Sequence, residues 1–332
     1  MREPVTIVDV AQAAGVSPAT VTHTLNGKRP VGEATRKKVL EASEQLGYVP
    51  SWNASRMKRG SSGIIGCLAA DITETFVNQI VRGIEHGLSG GQDSLFFVSG
   101  VEFGNDLKKA YNFLKSHKVE GILFCHHIPI WKDFNLGTQN SDIPIVSINM
   151  ATADMISVVA DNTTGGYQAA DHLYGCGMRH PAMICGPEDR LSVQDRLKGF
   201  SQRVQELNLC IPAHTYYGNY DFKHGLEAAQ RLMAEYPDTD GIFCANDYIA
   251  AGAVSAITEM GFKIPGQVRV VGFDNRDFSE FWNIPISTFE LPLQEMGMLG
   301  VSLLKQVIHT GTYTPTKHVL QSKLIPRQSS KG

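Results

Sequence analysis

Four short polar groups stand immediately behind apolar runs in this sequence. They are Asn149 after Ile145–Ile148, Asp161-Asn162 after Ile156–Ala160, Asn246-Asp247 after Phe243-Cys244-Ala245, and Asp274-Asn275 after Val270-Val271-Gly272-Phe273. Short apolar runs of this kind read as buried strands, and in open α/β sheets ligands collect beyond the carboxyl ends of strands. Amides and carboxylates placed there offer hydrogen-bond donors and acceptors to a bound ligand. Each group also has a plainer use: Asn246-Asp247 can cap a helix, and Asp274-Asn275 can make a turn. The chain lacks the motifs of a catalytic site on such a sheet. No G-x-G-x-x-G follows Ile65, there is no P-loop and no G-x-S-x-G, and Gly165-Gly166 is too short a glycine signal. Cys125-His126-His127 converges poorly as a metal site, because adjacent strand residues point to opposite faces. The six cysteines contain no C-x-x-C pair and read as buried reduced thiols. No cofactor or metal is expected.

A second chemistry lies at the N-terminus. Residues 1–60 hold nine Lys/Arg against five Asp/Glu, a net of +4, whereas the remainder carries −7. A basic head on an acidic body points to a polyanion as the head's partner. Within the head, Pro18, Ala19, Thr22 and His23 share the exposed side of one short helix. Thr methyl, Pro and Ala suit a thymine methyl, and His can exchange hydrogen bonds with a base edge.

The elements that position these residues follow from local pattern. Thr6-Ile7-Val8-Asp9 is a capping box with Asp at its fourth position, and Val8, Val10, Ala11 and Ala14 supply an apolar face up to Gly15. Ser17-Pro18 gives an N-cap and a first-turn proline for a helix over Pro18–Leu25, with Val21 and Leu25 turned to a small core. A third helix over Glu33–Leu46 packs through Val39, Ala42 and Leu46 and stops at Gly47. Two short helices joined by a tight turn make a helix-turn-helix, whose second helix enters the major groove. Ser51–Lys58 then holds one or two helical turns before the Gly60–Gly63 joint, with Met57 the exposed apolar residue among basic neighbours. That pattern fits a helix that forms on DNA and a wedge for the minor groove.

From Ile64 onward strand-like runs alternate with helical patterns, and the order restarts near residue 160, implying two doubly wound parallel-sheet subdomains with ligand between them. The tail 328–332 reads as disordered. No apolar run spans a bilayer and no signal peptide opens the chain, so a cytoplasmic protein without membrane contact is expected.

The head resembles the lactose/galactose repressor (LacI/GalR) family of bacterial transcription regulators. The matching residues are Val5–Ser17, Thr20-Val21, Leu25-Asn26, Thr35–Val39, Leu46–Pro50, Ala54 and Arg56-Met57, and the similarity runs through nearly the whole chain. The resemblance implies a helix-turn-helix head over 1–50, a hinge helix and linker over 51–63, and a periplasmic-binding-protein-like core over 64–328. Within the core it implies an N-subdomain of about 64–160 plus 290–328 and a C-subdomain of about 161–289. It implies DNA contacts from Thr6, Ser17, Pro18, Ala19, Thr22, His23, Asn26, Arg36, Asn53, Ala54 and Met57. It places an effector at Arg196, Asn246 and Asp274, then Asn149, with Asp161 at a further strand end and Phe76 and Tyr220 as pocket walls.

Two departures matter. The family usually has Ser-Arg where this chain has Thr22-His23, so the operator sequence does not transfer, and Met57 replaces the usual Leu. The implied function is a sequence-specific repressor, controlled by a sugar or sugar derivative and acting as a homodimer on a near-palindromic double-stranded operator. No leucine heptad follows Leu324-Ile325-Pro326, which favours dimers over tetramers. The rival readings, an exported sugar-binding protein and an enzyme on the same sheets, fit neither the basic head nor the missing motifs.

Overall fold

The computed structural model describes residues 5–26, 29–48, 61–69, 75–104, 106–125, 142–210 and 216–331. The chain divides into two compact units, Met1–Ser62 and Gly63–Gly332. The expected linker helix over Ser51–Lys58, with Asn53, Ala54 and Met57, lies outside the described residues.

In the first unit α1 (Ile7–Ala14), α2 (Pro18–Asn26) and α3 (Glu33–Leu46) enclose a core of Val10, Ala11, Ala14, Val21, Val39 and Ala42. The capping box is formed: the Thr6 hydroxyl accepts from the Asp9 amide, and the Thr6 amide donates to the Asp9 carboxylate at 2.7 Å. Gly15 ends α1 at φ 65°, a left-handed conformation in which glycine carries no Cβ penalty. Two expected core residues stay outside. Val8 is 57% exposed, and Ile7 packs in its place, because the buried stripe runs Ile7, Val10, Ala11, Ala14. Leu46 is 38% exposed; the turn at Gly47 folds Tyr48 back onto the core, its amide donating to the Ser43 carbonyl at 2.9 Å.

The second unit holds two parallel sheets. The first, in the order β10-β5-β4-β3-β1-β2, is built from β1 (Ile64–Ala69), β2 (Ser94–Ser99), β3 (Gly121–Cys125), β4 (Ile145–Ile148), β5 (Ile156–Ala160) and β10 (Lys317–Leu320). Its helices are α4 (Thr75–Leu88), α5 (Leu107–Ser116) and α11 (Leu293–Thr310), the last packing on β3, β4 and β5. The second sheet, β6 (Pro181–Ile184), β7 (Gly241–Cys244) and β8 (Arg269–Val271), is extended by single bridges to Tyr216 and Ser287. Around it lie α6 (Asn162–Gly175), α7 (Leu191–Glu206), α8 (Phe222–Glu235), α9 (Asp247–Glu259) and α10 (Asp277–Phe281). A two-stranded antiparallel ribbon joins β9 (Thr288–Glu290) to β11 (Lys323–Ile325). The all-buried strands β3 to β7 are the apolar runs of sheets covered on both faces. The chain crosses between sheets after β5, after β9 and after β10.

The last residues depart from expectation. The segment Lys323–Ile325 pairs antiparallel with β9, and the tail expected to be disordered is instead held through residues 328–331, with Ser329 and Ser330 buried. The Ser329 hydroxyl donates to the Val270 carbonyl at 2.6 Å and accepts from the Ser287 amide at 2.8 Å. Ser329 completes the backbone bonding at the edge of the second sheet, while the Ser330 hydroxyl lies 2.6 Å from the Ser287 hydroxyl and 2.7 Å from His172 Nε2, which is why a polar tail is held there. Among the thiols, Cys67, Cys125, Cys185 and Cys244 are buried as expected, whereas Cys176 is half-buried and Cys210 exposed.

Candidate functional site

In the head, Ser17 caps α2 by accepting from the Thr20 amide at 3.1 Å. Pro18 and Ala19 are exposed on the first turn, and Thr22 and His23 follow half-buried. The Thr22 hydroxyl donates to the Pro18 carbonyl at 2.9 Å, which leaves its methyl and lone pairs for a partner. Arg36 is exposed on α3, and the side chain of Asn26 lies outside the described residues. A shallow cleft of about 520 Å³ runs between α2 and the start of α3, lined among others by Ser17, Thr20, His23, Arg29 and Thr35.

The second site is assembled at the carboxyl edge of the second sheet. Close packing of α6 on α7 sets its depth: a Cβ at Gly166 would overlap the Arg196 carbonyl, and one at Gly199 the Thr163 carbonyl. Arg196, only 5% exposed, spreads its guanidinium over the Phe273 ring, 3.7 Å from its centre. Its Nε donates to Asn162 Oδ1 at 2.9 Å, one Nη to the Ala245 carbonyl, and the other Nη lies 3.4 Å from Asp274 Oδ1. Asp274 and Asn275 adopt left-handed φ values of 99° and 49°, a turn that brings the carboxylate back over the sheet edge. Burial pushes the Asp274 carboxyl up, and Arg196 and Arg276 pull it back.

Beneath it, fully buried Asp247 accepts from the Arg276 amide at 2.7 Å and from the Thr288 hydroxyl at 2.5 Å. Burial, then repulsion from Asp274, pushes the Asp247 carboxyl up to about 8. The Tyr220 ring lies where a Cβ at Gly186 would stand, and its hydroxyl is 3.4 Å from Ser192 Oγ. Burial raises the Tyr220 phenol, against the pull of Arg196 and Arg190.

The structure thus brings Arg196 and Asp274 together, with Tyr220 within their electrostatic reach. Asn246 instead caps α9, accepting from the Ile249 amide at 2.9 Å. Asp161 caps α6, accepting from the Thr164 amide and hydroxyl, and also takes a bond from Gln321 at 2.8 Å. Asn149, in a left-handed turn, and half-buried Phe76 stand at the carboxyl edge of the first sheet, after β4 and at the start of α4. Asp247, Arg276 and Thr288 were not singled out by sequence. Asp247 shares the Asn246-Asp247 pair, and both are buried, but nothing local says which of the two caps the helix and which meets Arg276 and Thr288.

The model for the lacI family of bacterial regulatory proteins matches residues 6–51, and the model for a periplasmic binding protein-like domain matches residues 170–330. Over 98% of its length the chain is 30% identical to the HTH-type transcriptional repressor PurR of Haemophilus influenzae, covering 99% of that protein. The chain belongs to the LacI family of bacterial regulatory proteins. Another relative is the probable HTH-type transcriptional repressor ExuR of Bacillus subtilis, also 30% identical, with 98% of each chain covered. Among solved structures, the lac repressor dimer bound to operator and the anti-inducer ONPF matches with a TM-score of 0.87 and 25% identity, over 99% of this chain and 100% of that one. The transcriptional regulator CelR in complex with cellobiose matches at 0.70 and 26%, over 98% and 99%. This LacI-family member is a DNA-binding transcriptional repressor, not an enzyme: α1 to α3 form its helix-turn-helix, and its core is the family's α/β binding fold. Among the described residues no helix is long and apolar enough to cross a membrane.

Proposed function

We propose that this repressor works as a homodimer on a near-palindromic operator, one α2 helix in the major groove of each half-site, and that a sugar or sugar derivative in the cleft between its subdomains controls that binding. One helix-turn-helix covers only a short half-site, so two-fold symmetry in protein and DNA go together. The solved operator complex of the lac repressor is a dimer, and CelR carries cellobiose, a disaccharide. The observation that carries the effector reading is the buried Arg196–Asp274 pair at the sheet's carboxyl edge, linked through Asn162 to the first crossover between the subdomains. A guanidinium and a carboxylate side by side offer donors and an acceptor to vicinal hydroxyls. In this reading Tyr220 and Phe76 line the cleft and Asn149 faces it from the first sheet, while Asp161 and Asn246 hold the helices that frame it. Thr6, Ser17, Pro18, Ala19, Thr22, His23, Asn26 and Arg36 form the DNA surface of each head, with Asn53, Ala54 and Met57 in the linker.

The test is a gel shift on DNA upstream of the adjacent genes, with sugars added. Arg196→Ala and Asp274→Ala are expected to retain operator binding and to lose the response to effector. Each removes a charge-assisted hydrogen bond of about 1.5–3 kcal/mol. An unchanged response in both variants would show that the effector binds elsewhere.

A further inference from the structure

Arg276 has no role in the reading above. It follows the left-handed pair Asp274-Asn275, and its guanidinium lies beside Asp274 Oδ2, with Nε at 3.9 Å, while Arg196 faces Oδ1 at 3.4 Å. Both distances exceed the ~2.7–2.9 Å of a full charge-assisted bond. Arg276 Nε is buried and makes no hydrogen bond among the described residues. A buried guanidinium N–H without an acceptor is costly to leave unmade. On its other side stands the ring of Tyr248, 5.7 Å away and 40% exposed, which in turn touches Phe278 at 4.8 Å.

Charge is also out of balance here. Two guanidinium groups flank the Asp274 carboxylate. Among the described residues the neighbouring carboxylate, Asp247, is committed to the Arg276 amide and the Thr288 hydroxyl, and burial favours its neutral form. A hydroxyl would satisfy the Arg276 donor and still leave the buried positive charge uncompensated, whereas an anion answers both.

We infer that the effector is an anionic polyol, a sugar acid or sugar phosphate, whose charged group is taken by Arg276 beside Tyr248 while Arg196 and Asp274 hold its hydroxyls. This rests on the cleft reading above and names the chemical class of its ligand. The test is calorimetric titration of the full-length protein with matched probes: D-glucose, D-glucuronate, D-gluconate and glucose 6-phosphate, and the galactose counterparts. At least one anionic probe is expected to bind at least about tenfold more tightly than its neutral parent, and the carboxylate and phosphate arms separate the two sources.

Arg276→Gln keeps an amide donor and removes the charge. It is expected to weaken the anion about 10- to 100-fold and to leave the neutral sugar nearly unchanged. Should that variant melt early, Arg276→Lys serves instead: it retains the charge and is expected to keep the preference for the anion. Equal binding of acid and parent sugar, an anion preference that survives Arg276→Gln, or no binding of any anionic probe at millimolar concentration overturns the inference. The cleft reading fails separately, if ligands bind and neither Arg196→Ala nor Asp274→Asn affects them.

Discussion

Asp247 is a carboxyl group with nowhere to put a negative charge. It is fully buried, burial and the neighbouring Asp274 push it up to about 8, and its hydrogen bonds to the Arg276 amide and the Thr288 hydroxyl only partly offset that. The folded protein therefore keeps a proton that the unfolded chain releases near pH 4. Between about pH 4 and pH 8 folding takes up this proton, so stability falls as pH rises across that window, by about 1.4 kcal/mol per pH unit for one proton. Asp247→Asn retains both contacts, with its amide oxygen accepting from Arg276 and its amide nitrogen donating to Thr288, and carries no charge. The variant is expected to melt above the wild type at pH 8.5, with the gap closing steadily as pH is lowered toward 4. Calorimetric melting across that range checks it, and a gap independent of pH would contradict the assignment.

At the scale of elements, helix pairs joined at glycine place the cleft side chains. In α6 and α7 the backbones approach so closely that Gly199 has no room for a methyl group beside the Thr163 carbonyl, and Arg196 sits one turn earlier on the same helix. Gly199→Ala is expected to cost about 1–3 kcal/mol by overpacking and to weaken the effector response through displacement of Arg196. Gly175→Ala, whose added Cβ meets nothing within 4 Å, is the neutral control in the same melting and gel-shift assays.

A second element prediction concerns the tail. Ser329→Ala strips partners from the Val270 carbonyl and the Ser287 amide, and is expected to destabilise the protein by about 1–3 kcal/mol. This tail also shows what a sequence hides. The capping box at Thr6-Asp9, the Ser17 cap and the buried strands are written in local pattern, and the structure contains them. Ser329 is stabilised by a strand 59 residues away, so its neighbours in sequence read as a disordered run. The same limit applies in the cleft. Arg196 and Asp274 stood out by strand position and family pattern, whereas the capping roles of Asn246 and Asp161 and the burial of Asp247 depend on tertiary packing that no short motif encodes.

At the scale of the whole molecule, Met1–Ser62 and Gly63–Gly332 are separate compact units, and in the proposed function the first reads DNA while the second senses the effector. Within the core, three crossovers tie the two sheets, and two of them carry side chains that answer to the cleft. Asn162, just past β5, holds Arg196, and Gln321, just past β10, donates to the Asp161 carboxylate that caps α6. In the proposed function, a ligand that bridges the cleft would alter the angle between the sheets through these crossovers, and in the proposed dimer that would change the spacing of the two linkers. Coupling of this kind is of order 1–3 kcal/mol, roughly a 5- to 150-fold change in affinity, and thermodynamics requires it to be reciprocal. Operator DNA is therefore expected to shift the affinity for effector by the same factor, and in the same direction, as effector shifts the affinity for operator. Titrating the effector into the protein alone and into the protein–operator complex, beside gel shifts at zero and saturating effector, measures both factors. If effector affinity is the same with and without operator while effector still changes the gel shift, the ligand is acting outside this linkage, for example on the DNA or on a second protein. Arg196→Ala adds an internal control, since it is expected to abolish both shifts together.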